Sequence, residues 1–261
     1  MKKYLSIIKY EMLITIREQY QYKVQLFSEV IMFVFIYLAG IISNWESAFV
    51  VEWGVTKDTG VKLVFIGYTI WQIGIIALGY SSSIVKNEAN QGILELKQQS
   101  IFPYRLLLFI RMCINVLTSI VLFLIISLVM MLVYGYEFGE YIRCCRSISF
   151  GLLSIFGMFG IGLLFGAITL HEKNIGQSVV ILQTVLLFFS NIFSTSTGNI
   201  MKLIPYILGV DIGRKLYLGD HILISEVLLY ISVNVMWFVL GNIVFEKALR
   251  KESKIGMFDN Y

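Results

Sequence analysis

The chain has 261 residues, 57% of them apolar and 15% charged, with a net charge of +4 and a mean hydropathy of +0.78. Average soluble domains hold roughly 45–50% apolar and about 25% charged residues, and a globule of this size cannot hide so much apolar surface. A soluble domain is therefore excluded, and the same composition, with only two prolines, excludes a disordered chain.

The expected fold class is an all-α integral membrane protein, a single transmembrane domain over 1–261. A helix needs about 20 mostly apolar residues to cross the hydrocarbon core. Six windows meet that need: 24–42, 63–84, 112–134, 148–170, 176–193 and 222–245. None holds Lys or Arg, and Glu29 and Glu226 are their only acids. The segments 1–23, 85–111, 171–175 and 246–261 carry 14 Lys and Arg against 8 acids. The segments 43–62, 135–147 and 194–221 carry 7 of each. That cationic excess places the first set, with both termini, in the cytoplasm. Trp45, Trp53 and Tyr134 at outer span ends, and Tyr20 and Tyr22 before the first span, suit the headgroup belts.

In chain order, 1–23 reads as a cytoplasmic amphipathic surface helix. Leu5, Ile8, Met12 and Ile16 share one side, beside Lys2, Ser6, Lys9 and Arg17. The amino terminus is not expected to be a signal peptide, because charges continue through Lys9, Glu11, Arg17 and Glu18 with no cleavage site. Glu29 lies about a turn and a half inside the first span, and Glu226 about as far inside the last. Two readings stay open for both, an interfacial position or a polar translocation path. Gln72, Asn115, Gln183 and Asn234 are further polar groups within spans, and inter-helix hydrogen bonding is their default role. Residues 85–100 read as a short amphipathic helix. Ala89, Ile93 and Leu96 line one face, Glu88, Gln91, Glu95 and Gln99 the other, and Pro103 starts a new segment. Cys113, Cys144 and Cys145 are too few for a secreted disulfide framework and read as packing residues or free thiols. In the fourth span Gly162 and Gly166 form a small-xxx-small pair for close helix packing. Residues 201–210 are apolar but too short to span, and read as a re-entrant or interfacial segment. The 246–261 stretch is expected to be a cytoplasmic tail.

The run Glu88-x-x-x-Gly92-x-Leu94-Glu95, between spans two and three and followed by Pro103, resembles the membrane subunits of type-2 ATP-binding-cassette exporters. In that family a Glu-x-x-x-Gly-Thr-Leu-Glu-x-Leu pattern forms the coupling helix seated in a cleft of the ATPase. This sequence has Ile93 where Thr is common and Leu96 directly after Glu95. The resemblance extends to the amphipathic N-terminal helix, the six spans and the apolar stretch between spans five and six. It implies an exporter permease in the plasma membrane of a bacterium. It also implies two copies of a separately encoded ATPase that binds ATP and Mg, and a second permease subunit, most simply another copy of this chain. Glu88, Gln91, Gly92, Leu94, Glu95 and Leu96 would then couple to the ATPase, and amphipathic or hydrophobic cargo, with a peptide or drug favoured, would be exported. Gly92→Pro, or charge reversal at Glu88 or Glu95, is expected to impair ATPase association and leave membrane insertion intact.

No phosphate-binding Gly-x-x-x-x-Gly-Lys-Ser/Thr loop is present, so the chain is not expected to hydrolyse ATP itself. No catalytic residue, cofactor or metal site is expected. His171 and His221 fall on opposite sides of the membrane, and no nucleophile elbow occurs. Nucleic acid is not an expected partner, because the inner cations are what topology alone demands. The remaining alternative is a secondary carrier driven by an ion gradient, or a channel, for which mid-span ionisable residues would be the signature.

Overall fold

A computed structural model describes residues 2–21, 23–100, 102–172, 176–188, 192 and 198–255. Among them there is no strand. The helices are α1 (Lys2–Gln21), α2 (Lys23–Ile42), α3 (Ser47–Trp53), α4 (Lys57–Asn90), α5 (Leu94–Gln98), α6 (Tyr104–Tyr134), α7 (Phe138–Gly151), α8 (Ser154–His171), α9 (Gly176–Phe188), α10 (Ile207–Leu218) and α11 (Ile224–Ile255). Four of these, α4, α6, α8 and α11, are long and apolar enough to cross a membrane. A fifth span results if Phe27–Ile42 and Ser47–Trp53, bent by 55° at their junction, count as one.

The core forms around α8, which lies between α4 and α11. Glycine makes that sandwich possible. A Cβ on Gly162 would stand 2.4 Å from the Leu78 carbonyl oxygen of α4, and one on Gly241 of α11 would stand 2.1 Å from the Gly160 carbonyl oxygen. Backbones this close interlock without side chains between them. Gly166 faces the Phe245 ring of α11 and Val85 of α4, so Gly162 and Gly166 serve internal contacts between α8 and its two neighbours. Asn234 pins the sandwich from inside. Its Oδ1 accepts from the Gly157 amide at 3.2 Å, and its Nδ2 donates to the carbonyls of Pro205 at 3.1 Å and Tyr230 at 2.9 Å. By contrast α2 meets the bundle through one aromatic stripe. Phe33 stacks on Phe123 with ring centroids 4.4 Å apart, and Tyr37 meets Phe65 at 5.3 Å. The other side of α2, including Phe27, Ile31, Phe35 and Ile42, is exposed.

Several elements differ from the expected boundaries. Helix α4 has 34 residues and rises about 51 Å, well beyond a roughly 30 Å hydrocarbon layer. It absorbs 85–90, which the sequence assigned to the coupling helix. Helix α6 begins at Tyr104, not at 112, because Pro103 starts it; the Pro103 carbonyl accepts from the Leu106 amide at 2.9 Å. The expected fourth span is broken at Leu152 and Leu153 into α7 and α8, and the outer loop before it is helical from Phe138. The expected fifth span is described as a helix only over Gly176–Phe188, about 20 Å and too short to cross alone; 189–191 and 193 lie outside the described residues. The expected tail continues α11 as helix to Ile255, and 256–261 lie outside the described residues.

The 201–210 segment is a 3-10 turn, Met201–Leu203, followed by α10. Helix α10 packs on α7 and α4 and buries Ile207, Val210, Ile212 and Arg214. The Arg214 guanidinium donates from Nε to the Leu63 carbonyl at 3.0 Å and lies 4.4 Å from the Phe49 ring centre.

Candidate functional site

The sequence motif falls where α4 ends and α5 begins, and its geometry starts with the way α4 stops. The Gly92 amide donates to the Ala89 carbonyl at 3.0 Å and the Ile93 amide to the Glu88 carbonyl at 3.1 Å. This paired closure needs a left-handed residue, and Gly92 has φ of +68°. A Cβ there would meet nothing within 4 Å, so glycine is required by backbone conformation and not by space. The chain turns at once into α5, five residues long. Leu94 is buried under it, while Gln91, Gly92, Glu95 and Leu96 are exposed, Leu96 by 69%. The elbow therefore presents one apolar and one acidic side chain to the surroundings on a short, fixed loop.

Glu88 does not belong to that exposed surface. It is 3% exposed. Its Oε1 accepts from Arg111 Nη1 at 2.7 Å and from Lys97 Nζ, and its Oε2 accepts from the Tyr104 hydroxyl at 2.6 Å. Arg111 also donates from Nε to Glu11 of α1. Two carboxylates and two cations thus close a neutral clasp joining α1, α4, α5 and α6. Removing one member leaves its partners buried without compensation, which costs about 3–5 kcal/mol in measured buried pairs. Glu88 therefore faces the interior of the bundle and not the exposed side of the elbow. A lysine there would confront Arg111 and Lys97 in the interior, so charge reversal disturbs folding before it disturbs any docking. Gly92→Pro meets a similar objection, since proline cannot adopt a positive φ.

Helix α1 packs on α6. Its polar strip, Glu11, Thr15, Glu18 and Gln19, turns toward the protein, while Met12, Leu13, Ile14 and Ile16 are exposed. The cause is polar supply on α6. Gln19 donates to Asn115 Oδ1 at 2.7 Å and accepts from the Thr118 hydroxyl at 2.9 Å.

The residues expected along a translocation path do not gather. Asn115 is engaged by Gln19; Gln183 donates to the Ile75 carbonyl at 3.4 Å; Glu226, in the first turn of α11, accepts from Lys215 Nζ at 2.6 and 2.8 Å. Glu29 on α2 and Gln72 on α4 are half-buried. None of the five lines the apolar cleft of about 230 Å³ among Phe65, Thr69, Ile73, Phe123, Ser127 and Ile148, or the inner groove of about 540 Å³ along α6 and α11.

Sequence reasoning missed Arg111, Glu11, Lys97 and Tyr104. Arg111 was counted as a loop cation because the span window opened one residue later. The apolar run 106–110 between Arg105 and Arg111, directly after Pro103, was the available signal that the helix starts earlier. A second ion cluster lies at the other end of α4. Lys62 donates to Asp58 at 2.7 Å and to Glu140 at 2.8 Å, and its Nζ lies 4.1 Å from the Tyr136 ring centre. Cys144 and Cys145, on α7, are free thiols. Among the described residues no group of three or more His, Cys, Asp or Glu is placed to hold a metal ion.

Neither a protein-family model nor a curated protein matches this chain.

Proposed function

We propose that this chain is the transmembrane permease subunit of an ATP-driven exporter in a bacterial plasma membrane. Its spans are α2, α4, α6, the α7–α8 pair, α9 and α11, six in all, with both termini in the cytoplasm. It works with a second permease, most simply another copy of itself, and with two copies of a separate ATPase that binds ATP and Mg. ATP drives export only insofar as the ATPases hold the two conformations of the bundle with different affinity. Amphipathic or hydrophobic cargo, a peptide or a drug, suits spans with many aromatic and few charged residues.

One observation carries this reading. The Gly92-x-Leu94-Glu95 turn sits as a short exposed elbow between two long apolar helices, and Glu88 and Arg111 lock its base to α1, α4 and α6. A push on α5 is therefore delivered to three helices at once, as a lever requires. The test is purification of the intact complex from its native host. Co-purification of an ATP-hydrolysing subunit, lost in Leu96→Asp without loss of the folded permease, supports the assignment. A folded permease that never brings down such a subunit overturns it.

A further inference from the structure

Beside α5 runs a groove of about 540 Å³ that the sequence motif does not include. Its walls are the start of α6, with Pro103 and Arg105, and the inner extension of α11, with Glu246, Leu249, Arg250 and Ser253. The charges of this stretch are sorted by side. The two acids on this part of α11 are committed. Glu246 is shared between the guanidiniums of Arg105 and Arg250, one on each oxygen, and Glu252 is buried at 3% exposure with Oε1 3.4 Å from His171 Nδ1. The cations remain outward. Arg250, Lys251 and Lys247 are exposed, and one carboxylate serves both arginines of the groove. The groove therefore offers guanidinium donors in excess of acceptors, over an apolar floor of Pro103 and Leu249.

We infer that this groove is a second docking site for the ATPase subunit, filled by a carboxylate-bearing segment of that partner. The inference rests on the permease reading above. Two features favour a protein segment over a lipid headgroup. The groove adjoins α5, whose Leu96 is the exposed apolar residue of the elbow. It also extends away from the bilayer: from the expected span end at 245, α11 rises about 12 Å to Ser253, whereas the headgroup layer is only about 5–8 Å deep. Contact at α5 alone is a pivot. Contact at α5 and α11 together fixes the angle of the last span relative to α4, so movement of the ATPase turns the α8–α11 pair as well as the elbow.

The test uses photo-crosslinking in intact cells of the native host. A benzophenone side chain is placed at Ser253 in one strain and at Leu96 in another, both exposed positions. Captured material is identified by mass spectrometry and assayed for ATP hydrolysis. The expected result is the same ATP-hydrolysing protein from both positions. In the Arg105→Gln/Arg250→Gln variant, capture at Ser253 should fall roughly tenfold while capture at Leu96 changes by less than about twofold. The Leu96 signal in that variant also reports that the protein is folded. Capture at Leu96 alone overturns the second site and leaves the permease reading standing. Phospholipid as the sole product at Ser253 also overturns it, as does capture unchanged by the double substitution. No ATP-hydrolysing protein from either position overturns both readings.

Discussion

The end of α4 and helix α5 carry the two glutamates of one motif in opposite physical circumstances. Glu88 is buried among Arg111, Lys97 and Tyr104, while Glu95 is exposed on a five-residue helix. The first holds the inner end together and the second is free to meet something else. A helix can act as a lever only when its base is tied and its tip is not, and the left-handed Gly92 is the point where one circumstance changes to the other. A short sequence pattern can therefore mix structural and contact residues, and burial separates them.

Substitutions can break that contrast, and the largest effect belongs to the clasp. Glu88→Lys or Arg111→Leu should lower stability by about 3–5 kcal/mol, read as the thermal midpoint of helix loss in detergent. Equal midpoints for Glu88→Lys and Glu95→Lys would dismiss the clasp. Next comes the α8–α11 contact, which extends the comparison to glycines. Gly241→Ala drives a methyl into the Gly160 carbonyl and should cost about 1–3 kcal/mol. Gly139→Ala, where a Cβ meets nothing, should be neutral or slightly stabilising in the same melt.

At the changeover itself, Gly92→Ala strains a left-handed residue by about 1–2 kcal/mol without any clash. Gly92→Asn should recover part of that loss, because asparagine tolerates this region better. If the two variants melt alike, backbone conformation is not what selects glycine at this turn. The smallest stability effects lie at the tip. Glu95→Lys and Leu96→Asp should stay within about 0.5 kcal/mol of the parent, yet each should weaken co-purification of the proposed ATPase. Tip variants that melt early would mean α5 is part of the core.

The long apolar helices were legible because hydropathy alone reports them. The window 63–84 lies inside α4, and 222–245 coincides with α11 from Ile224 onward, so only the ends differ. Those ends were misjudged for one reason: an apolar window stops at the first charge, whereas a helix continues until something breaks it. Arg111 and Glu88 lie within helices because Pro103 and Gly92 are the actual breaks. The paired polar face of α1 was not legible, since Glu11 and Gln19 look like ordinary solvated residues until α6 supplies Arg111, Asn115 and Thr118 across a distance in sequence. The same holds for α10. Its apolar start suggested a re-entrant or interfacial segment, and the burial of Arg214 and Ile212 where α10 packs on α4 and α7 is something no local pattern reveals.

The sequence by itself determined the solvent this protein lives in, the approximate number of apolar helices and the place of the inner turn. These follow from composition, from the hydrocarbon thickness and from the conformational freedom of glycine. Only the tertiary structure decided which helix is central and which charged groups are buried. Centrality depends on backbones meeting at Gly160 and Gly241, and burial of a charge depends on an opposite charge arriving from another helix. Both are relations between distant segments, and no single segment carries them.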